Sequence, residues 1–100
     1  MSRMRLARIV GQVVSTIKEP GLDSFKILVV EDLDAADPET DGNRRYLAVD
    51  LVGAGEGEVV GVALGSAARV HPSCATTATD AAVVAIVDTV IVGGQVTFKK

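Results

Sequence analysis

The chain has 100 residues and a formal net charge of −3, and 48% of it is hydrophobic although only 3% is aromatic. That length supports one domain, residues 1–100, because a core of this size buries roughly 65% of the surface its unfolded chain exposes. The negative charge excludes long-range attraction to nucleic acid. No apolar run reaches the ~18 residues of a membrane span, and Met1 to Gly11 lacks the continuous apolar segment of a secretory signal, so a cytosolic protein without a membrane partner is expected.

The apolar content is dominated by Val, Ala, Leu and Ile, which favours strand packing over a helical bundle. The first strand is expected over Met4 to Thr16, where doublets such as Ile9-Val10 and Val13-Val14 suit a strand covered on both faces for part of its length. Gly11 in its middle marks a bend or a bulge. Lys18-Glu19-Pro20-Gly21 is a turn, and Phe25 to Leu33 reads as the second strand. The acidic segment Asp34 to Arg45, punctuated by Pro38 and Gly42, reads as a surface loop. A third strand is expected over Tyr46 to Val52 and a fourth over Glu58 to Leu64, with a glycine-rich turn between them.

At Gly65 to Val70 the character changes: Ser66 can cap a helix, Ala67 and Ala68 are strong helix formers, and Pro72 stops propagation, so one short helical turn is expected. His71 to Thr79 reads as a loop. Ala81 to Val87 and Val90 to Lys99, the latter broken at Gly93-Gly94, read as closing strands or a hairpin. About five principal strands and one short helix in so short a chain point to an all-β fold, a small closed or nearly closed barrel, since closure removes exposed sheet edges.

Catalytic and ligand chemistry is poorly provided for. The lone His71 and lone Cys74 do not make the clustered His/Cys set that zinc needs, and as a dyad they lack a rigidly held base and a third, orienting group. Cys74 reads as a free thiol, and the serines lie in no nucleophile-elbow context. Asp37 to Gly42 imitates the first half of an EF-hand loop, but the twelfth position is Ala48, and Arg44 and Arg45 bring unfavourable charge. Gly53-Ala54-Gly55-Glu56-Gly57-Glu58 imitates a dinucleotide loop, yet Glu58 stands at the third glycine position and a strand follows. No enzyme activity, cofactor or metal is expected.

Three glycines in five residues, within Asp50 to Val60, require either positive φ angles or very close backbone approach. An ordinary hairpin turn and a turn specialised for subunit packing both satisfy this. Leu6 to Thr16, Asp50 to Val60, Gly65-Ser66-Ala67-Ala68-Arg69 and Ile86 to Val96 resemble, in order and spacing, the vertex proteins of bacterial microcompartment shells, the EutN/CcmL family. The resemblance runs from about Met4 to Lys100. It implies a five-stranded barrel similar to the OB-fold, and cyclic homopentamers at the vertices of a roughly icosahedral shell whose facets are hexameric shell proteins. It further implies that Gly53, Ala54, Gly55, Gly57 and Glu58, with Gly65, Ser66, Ala67, Ala68 and Arg69, lie near the subunit joint and towards the five-fold axis. Many members carry two adjacent serines where this chain has Ser66-Ala67, so a hydrogen bond from a second hydroxyl is not carried over. The Gly93 to Phe98 ending looks more like catabolic compartments than carboxysomes.

Two further expectations concern interactions. Glu58 stands at the end of the fourth strand and Arg69 in the helical turn that follows it. A strand of about seven residues at roughly 3.3 Å per residue separates them by some 20 Å within one subunit, so a direct pair between them is expected across neighbouring subunits. The alternative function for a small OB-like barrel is single-stranded nucleic-acid binding. Phe25, Tyr46 and Phe98 are few stacking platforms for that role, and the net charge repels phosphate.

Overall fold

The structure, a computed structural model, describes residues 3–14, 26–38, 44–65 and 80–100. Among these residues seven strands follow one another: β1 (Arg3–Val13), β2 (Lys26–Asp32), β3 (Arg45–Asp50), β4 (Val59–Leu64), β5 (Ala81–Ile86), β6 (Thr89–Val92) and β7 (Gln95–Lys99). The first five close into a barrel in the order β1-β2-β3-β5-β4, with β4 returning to pair with β1. All its pairings are antiparallel except β3 with β5, which is parallel through Val49↔Ala82 and Asp50↔Val83. The all-β, five-stranded barrel is therefore as the chain pattern indicates. The helical turn expected from Ser66 onward lies outside the described residues.

Why β1 can pair with two neighbours along its length follows from its middle. Ile9 pairs with Val30 and Gly11 with Val29, so Val10 is the extra residue of a β-bulge. The bulge bends the strand so that its first half pairs with β4 and its second half only with β2. The end of β3 has an equally local cause: it stops at Asp50, two residues before the expected Val52, because the Asp50 side chain captures the following backbone N–H groups.

The interior is filled by alternate residues of each strand: Ala7, Ile9, Leu28, Val30, Ala48, Val60, Val62, Ala81 and Val83, with Ala54 from the turn. Five strands enclose a narrower space than the eight-stranded barrels that side chains just fill. Ala and Val fit that space, which accounts for the low aromatic content. A second apolar cluster, Val49 and Ala82 with Ile27, Leu51 and Val84, lies on the opposite, outer face of β2, β3 and β5. The last two strands form a separate two-stranded sheet, so of the two readings of the final segment, closing strand and hairpin, β5 takes the first and β6–β7 the second.

Candidate subunit interface around the glycine turn

The turn from Leu51 to Glu58 joins β3 to β4, and its shape is dictated by two carboxylates. Asp50, whose side chain is only 3% exposed, accepts hydrogen bonds at Oδ1 from the N–H groups of Val52 (3.1 Å), Gly53 (3.1 Å) and Ala54 (3.3 Å). This is an aspartate-nucleated turn extended by one residue. Lys26 Nζ of β2 lies 3.6 Å from Asp50 Oδ2 and donates to the Ala54 carbonyl at 2.9 Å, so the buried charge has a partner and the turn is tied to the adjacent strand.

The second carboxylate belongs to Glu58. Its Oε1 accepts from the Gly55 N–H at 2.7 Å and its Oε2 from Lys100 Nζ at 2.9 Å. The hydrogen bond from Lys100, then that from Gly55, holds the Glu58 carboxyl below the usual carboxylate range, and the same Glu58 contact raises the Lys100 ammonium. Both carboxylate oxygens are thus engaged within the subunit, whereas an intersubunit pair with Arg69 was expected; Arg69 lies outside the described residues. Backbone bonds complete the anchoring: Gly57 N–H to the Ile9 carbonyl at 2.8 Å and Ile9 N–H to the Glu58 carbonyl at 3.0 Å. Arg8 Nη1 donates to the Gly57 carbonyl at 3.1 Å.

The glycines divide by role. Gly53 and Gly57 have φ of 78° and 90°, a region that L side chains rarely adopt. Gly55 does not: its φ is not positive, and a Cβ there would meet Glu58 Oε1 at 3.5 Å, an ordinary contact. Neither of the two reasons for glycine expected from sequence therefore applies to Gly55 within the subunit. Ala54 is fully buried and belongs to the core, while Gly53 and Gly57 are exposed and Gly55 and Glu58 partly so. Gly65, also at positive φ, donates its N–H to the Asp80 carbonyl at 2.8 Å. It sits at the far end of β4 from Glu58, so within one chain these two residues are about 20 Å apart. Ser66, Ala67 and Ala68, with Arg69, lie outside the described residues, as do His71, Cys74 and Phe25.

Asp50 already stood in the glycine-rich stretch, but its role, and those of Arg8, Lys26 and Lys100, were not recognised in the sequence. An Asp three residues before a Gly is a signal for such a turn. The three cations come from β1, β2 and the last residue of the chain, and nothing local marks them.

A second polar group occupies an end of the barrel. Arg5 Nη1 bonds Asp32 Oδ2 at 2.7 Å, and the Tyr46 hydroxyl donates to Asp32 Oδ1 at 2.8 Å. Burial, then the hydrogen bond to Asp32 and its charge, push the Tyr46 hydroxyl above the usual phenol range. The Arg44 guanidinium lies 5.5 Å from the Tyr46 ring centroid, so this aromatic ring is already engaged on a face. Beside it, Glu31 of β2 takes Arg45 Nε at 2.6 Å. Among the described residues no three His, Cys, Asp or Glu side chains gather as a metal site.

The exterior carries aliphatic side chains that the described fold leaves open: Met4 (63% exposed) and Leu47 (54%) on the barrel, and Ile91 (64%) and Val96 (58%) on the β6–β7 hairpin. A rigid turn and an incompletely covered aliphatic exterior are the properties of a surface that associates with protein.

Comparison with known proteins agrees with this. A family model described as "Ethanolamine utilisation protein EutN/carboxysome" matches residues 4–88. The chain is 44% identical over 97 residues to the carboxysome shell vertex protein CcmL of Synechococcus elongatus, covering 97% of this chain and 96% of that protein. It is 42% identical over 97 residues to the bacterial microcompartment shell vertex protein EutN of Escherichia coli K12, covering 97% and 100%. Whole-chain identity thus differs little between the CcmL and EutN relatives. The structure of GrpN, a pentameric microcompartment shell protein from Rhodospirillum rubrum, superimposes with a TM-score of 0.76 at 42% identity, covering 88% of this chain and 96% of that one. These relatives are named as structural shell proteins, not as enzymes.

Proposed function

The chain belongs to the EutN/CcmL family, and from that premise we propose that it is a structural subunit of a bacterial microcompartment shell, forming cyclic homopentamers at the vertices. The observation that carries the reading is the near-full-length similarity to shell vertex proteins, together with a pentameric relative that superimposes on the same barrel. Geometry supplies the role. A flat hexagonal lattice of facet proteins cannot close, and five-fold units at its corners provide the missing curvature. Hexameric shell proteins are accordingly the proposed neighbours, and the shell lies in the cytoplasm.

A cyclic ring needs a heterologous joint, in which one patch of a subunit docks on a different patch of the next. The two glycine-containing motifs suit that requirement because they occupy opposite ends of β4. We assign Gly53, Gly57 and the exposed side of Gly55 and Glu58 to one half of the joint, and Gly65, Ser66, Ala67, Ala68 and Arg69 to the other, near the five-fold axis. Ala54 contributes by fixing the turn to the core, since it has no exposed surface. No observation favours nucleic-acid binding: Tyr46 is hydrogen-bonded to Asp32 and Phe98 is half-buried.

Native mass spectrometry of the purified full-length chain tests the proposal. Five copies per particle are expected. A monomer at micromolar concentration overturns the ring, and a hexamer overturns the vertex role.

A further inference from the structure

We propose that the β6–β7 hairpin is a strap that docks on the outer barrel wall of the neighbouring copy of this chain, an inference that rests on the ring reading above. The hairpin lies beyond the segment shared with the family model, which ends at Asp88, and it is not part of the barrel sheet. Its strands pair Val90 with Phe98 and, across a bulge, Ile91 with Val96. Cross-strand partners share a face. The first pair, nearer the barrel, is half-buried, whereas Ile91 and Val96 are 64% and 58% exposed. The ten residues Thr89 to Phe98 carry no charge. A lone two-stranded hairpin is marginal in water and needs a surface to pack on.

Within the subunit the hairpin is held by polar contacts at its root and along β7. Thr97 Oγ1 donates to the Ala35 carbonyl at 2.6 Å, the Lys100 N–H to the Asp88 carbonyl at 2.8 Å, and Lys100 Nζ to Glu58 at 2.9 Å. That last bond places the root of the hairpin against the glycine turn. A neighbour seated on the turn is therefore adjacent to the apolar ladder, which makes the ladder continuous with the proposed joint.

The chain also carries a matching acceptor. Val29 of β2 and Leu47 of β3 are direct cross-strand partners on the outer face, because the interior is taken by Leu28, Val30 and Ala48. Leu47 is 54% exposed. On the other flank of Val29 its partner is Gly11, which has no side chain; a Cβ there would stand 3.7 Å from Val29 Cβ and Cγ2. The wall is thus an aliphatic row with a notch at Gly11. An uncharged ladder and an uncharged row on different strands of one chain are the two unlike patches that a closed ring buries on every subunit, with none left over.

The test uses the full-length protein with Ile91→Lys/Val96→Lys on the strap and Leu47→Lys on the wall. Both sites are exposed in the subunit, so circular dichroism should report an unchanged fold. On dilution, followed by native mass spectrometry, each variant is expected to fall apart at a concentration about tenfold or more above that of the wild type, the scale of losing buried aliphatic contacts. Combining the strap and wall substitutions should shift the midpoint by less than the product of their separate shifts, because they break the same contact. A wild-type ring that either variant leaves unchanged overturns the strap alone. A wild-type chain that is monomeric at every concentration overturns the ring reading on which it rests.

Discussion

The barrel and the β6–β7 hairpin are written with the same residues, Val and Ile in short strands, and the two treat them oppositely. In the barrel Val30, Val60, Val62 and Val83 are wholly buried, and in the hairpin Ile91 and Val96 are mostly exposed. Strand propensity is the same in both. What differs is closure: five strands curve back so that every inward side chain meets others, whereas two strands have one face against the chain and one against whatever comes. Self-sufficient burial resides in the first region, and the proposed dependence on a neighbouring copy in the second.

The sharpest way to break that comparison is to make equivalent deletions in both regions. Ile9→Ala removes a side chain that is 1% exposed in the barrel interior and should cost about 2–5 kcal/mol of subunit stability. Ile91→Ala in the hairpin should change the same quantity by less than about 0.5 kcal/mol. Urea denaturation checks both, at a concentration below that of association, because binding between subunits adds apparent stability by mass action. Equal losses would show that the hairpin is part of the subunit's own core.

A smaller effect separates the glycines of the β3–β4 turn, whose Glu58 the hairpin root contacts. Gly57→Ala forces a side chain into φ of 90° and should cost about 1–2 kcal/mol. Gly55→Ala meets only an ordinary contact with Glu58 and should stay within about 0.5 kcal/mol in the subunit. If native mass spectrometry nevertheless finds Gly55→Ala impaired in assembly, the glycine serves the neighbour's approach and not the turn's conformation.

The smallest effect is electrostatic and concerns the bond between the two regions. The Glu58 carboxyl lies below its ordinary value of 4.5, so its contribution is present above that value and is lost as the pH falls through the depressed one. The Lys100 ammonium lies above its ordinary 10.5, so its contribution is present below that value and is lost as the pH rises through the raised one. Between those limits amide exchange at the hairpin root should be slower in the wild type than in Glu58→Gln, and the two should converge at either extreme and in high salt. The absence of a difference inside the window would assign the protection to Thr97 and the backbone instead.

The sequence by itself determined where along the chain the strands lie, because alternating aliphatic residues bounded by turn signals are local facts. It left open whether the last segments close the barrel or form a hairpin, which the tertiary structure decided. It marked a bend or a bulge at Gly11, where the structure has a bulge at the neighbouring Val10, and the break at Gly93-Gly94 for the same local reason, and the EutN/CcmL motifs carried the family. It also marked the glycine turn, without distinguishing Gly53 and Gly57 from Gly55. Only the tertiary structure decided that distinction, since it depends on where the Asp50 and Glu58 carboxylates reach. The partners of Glu58 were beyond local reading too: Lys100 lies 42 residues away in sequence and arrives only because the hairpin folds back to the turn. Which side chains a strand prefers is set by its own residues, whereas which charges meet is set by how distant strands are brought together.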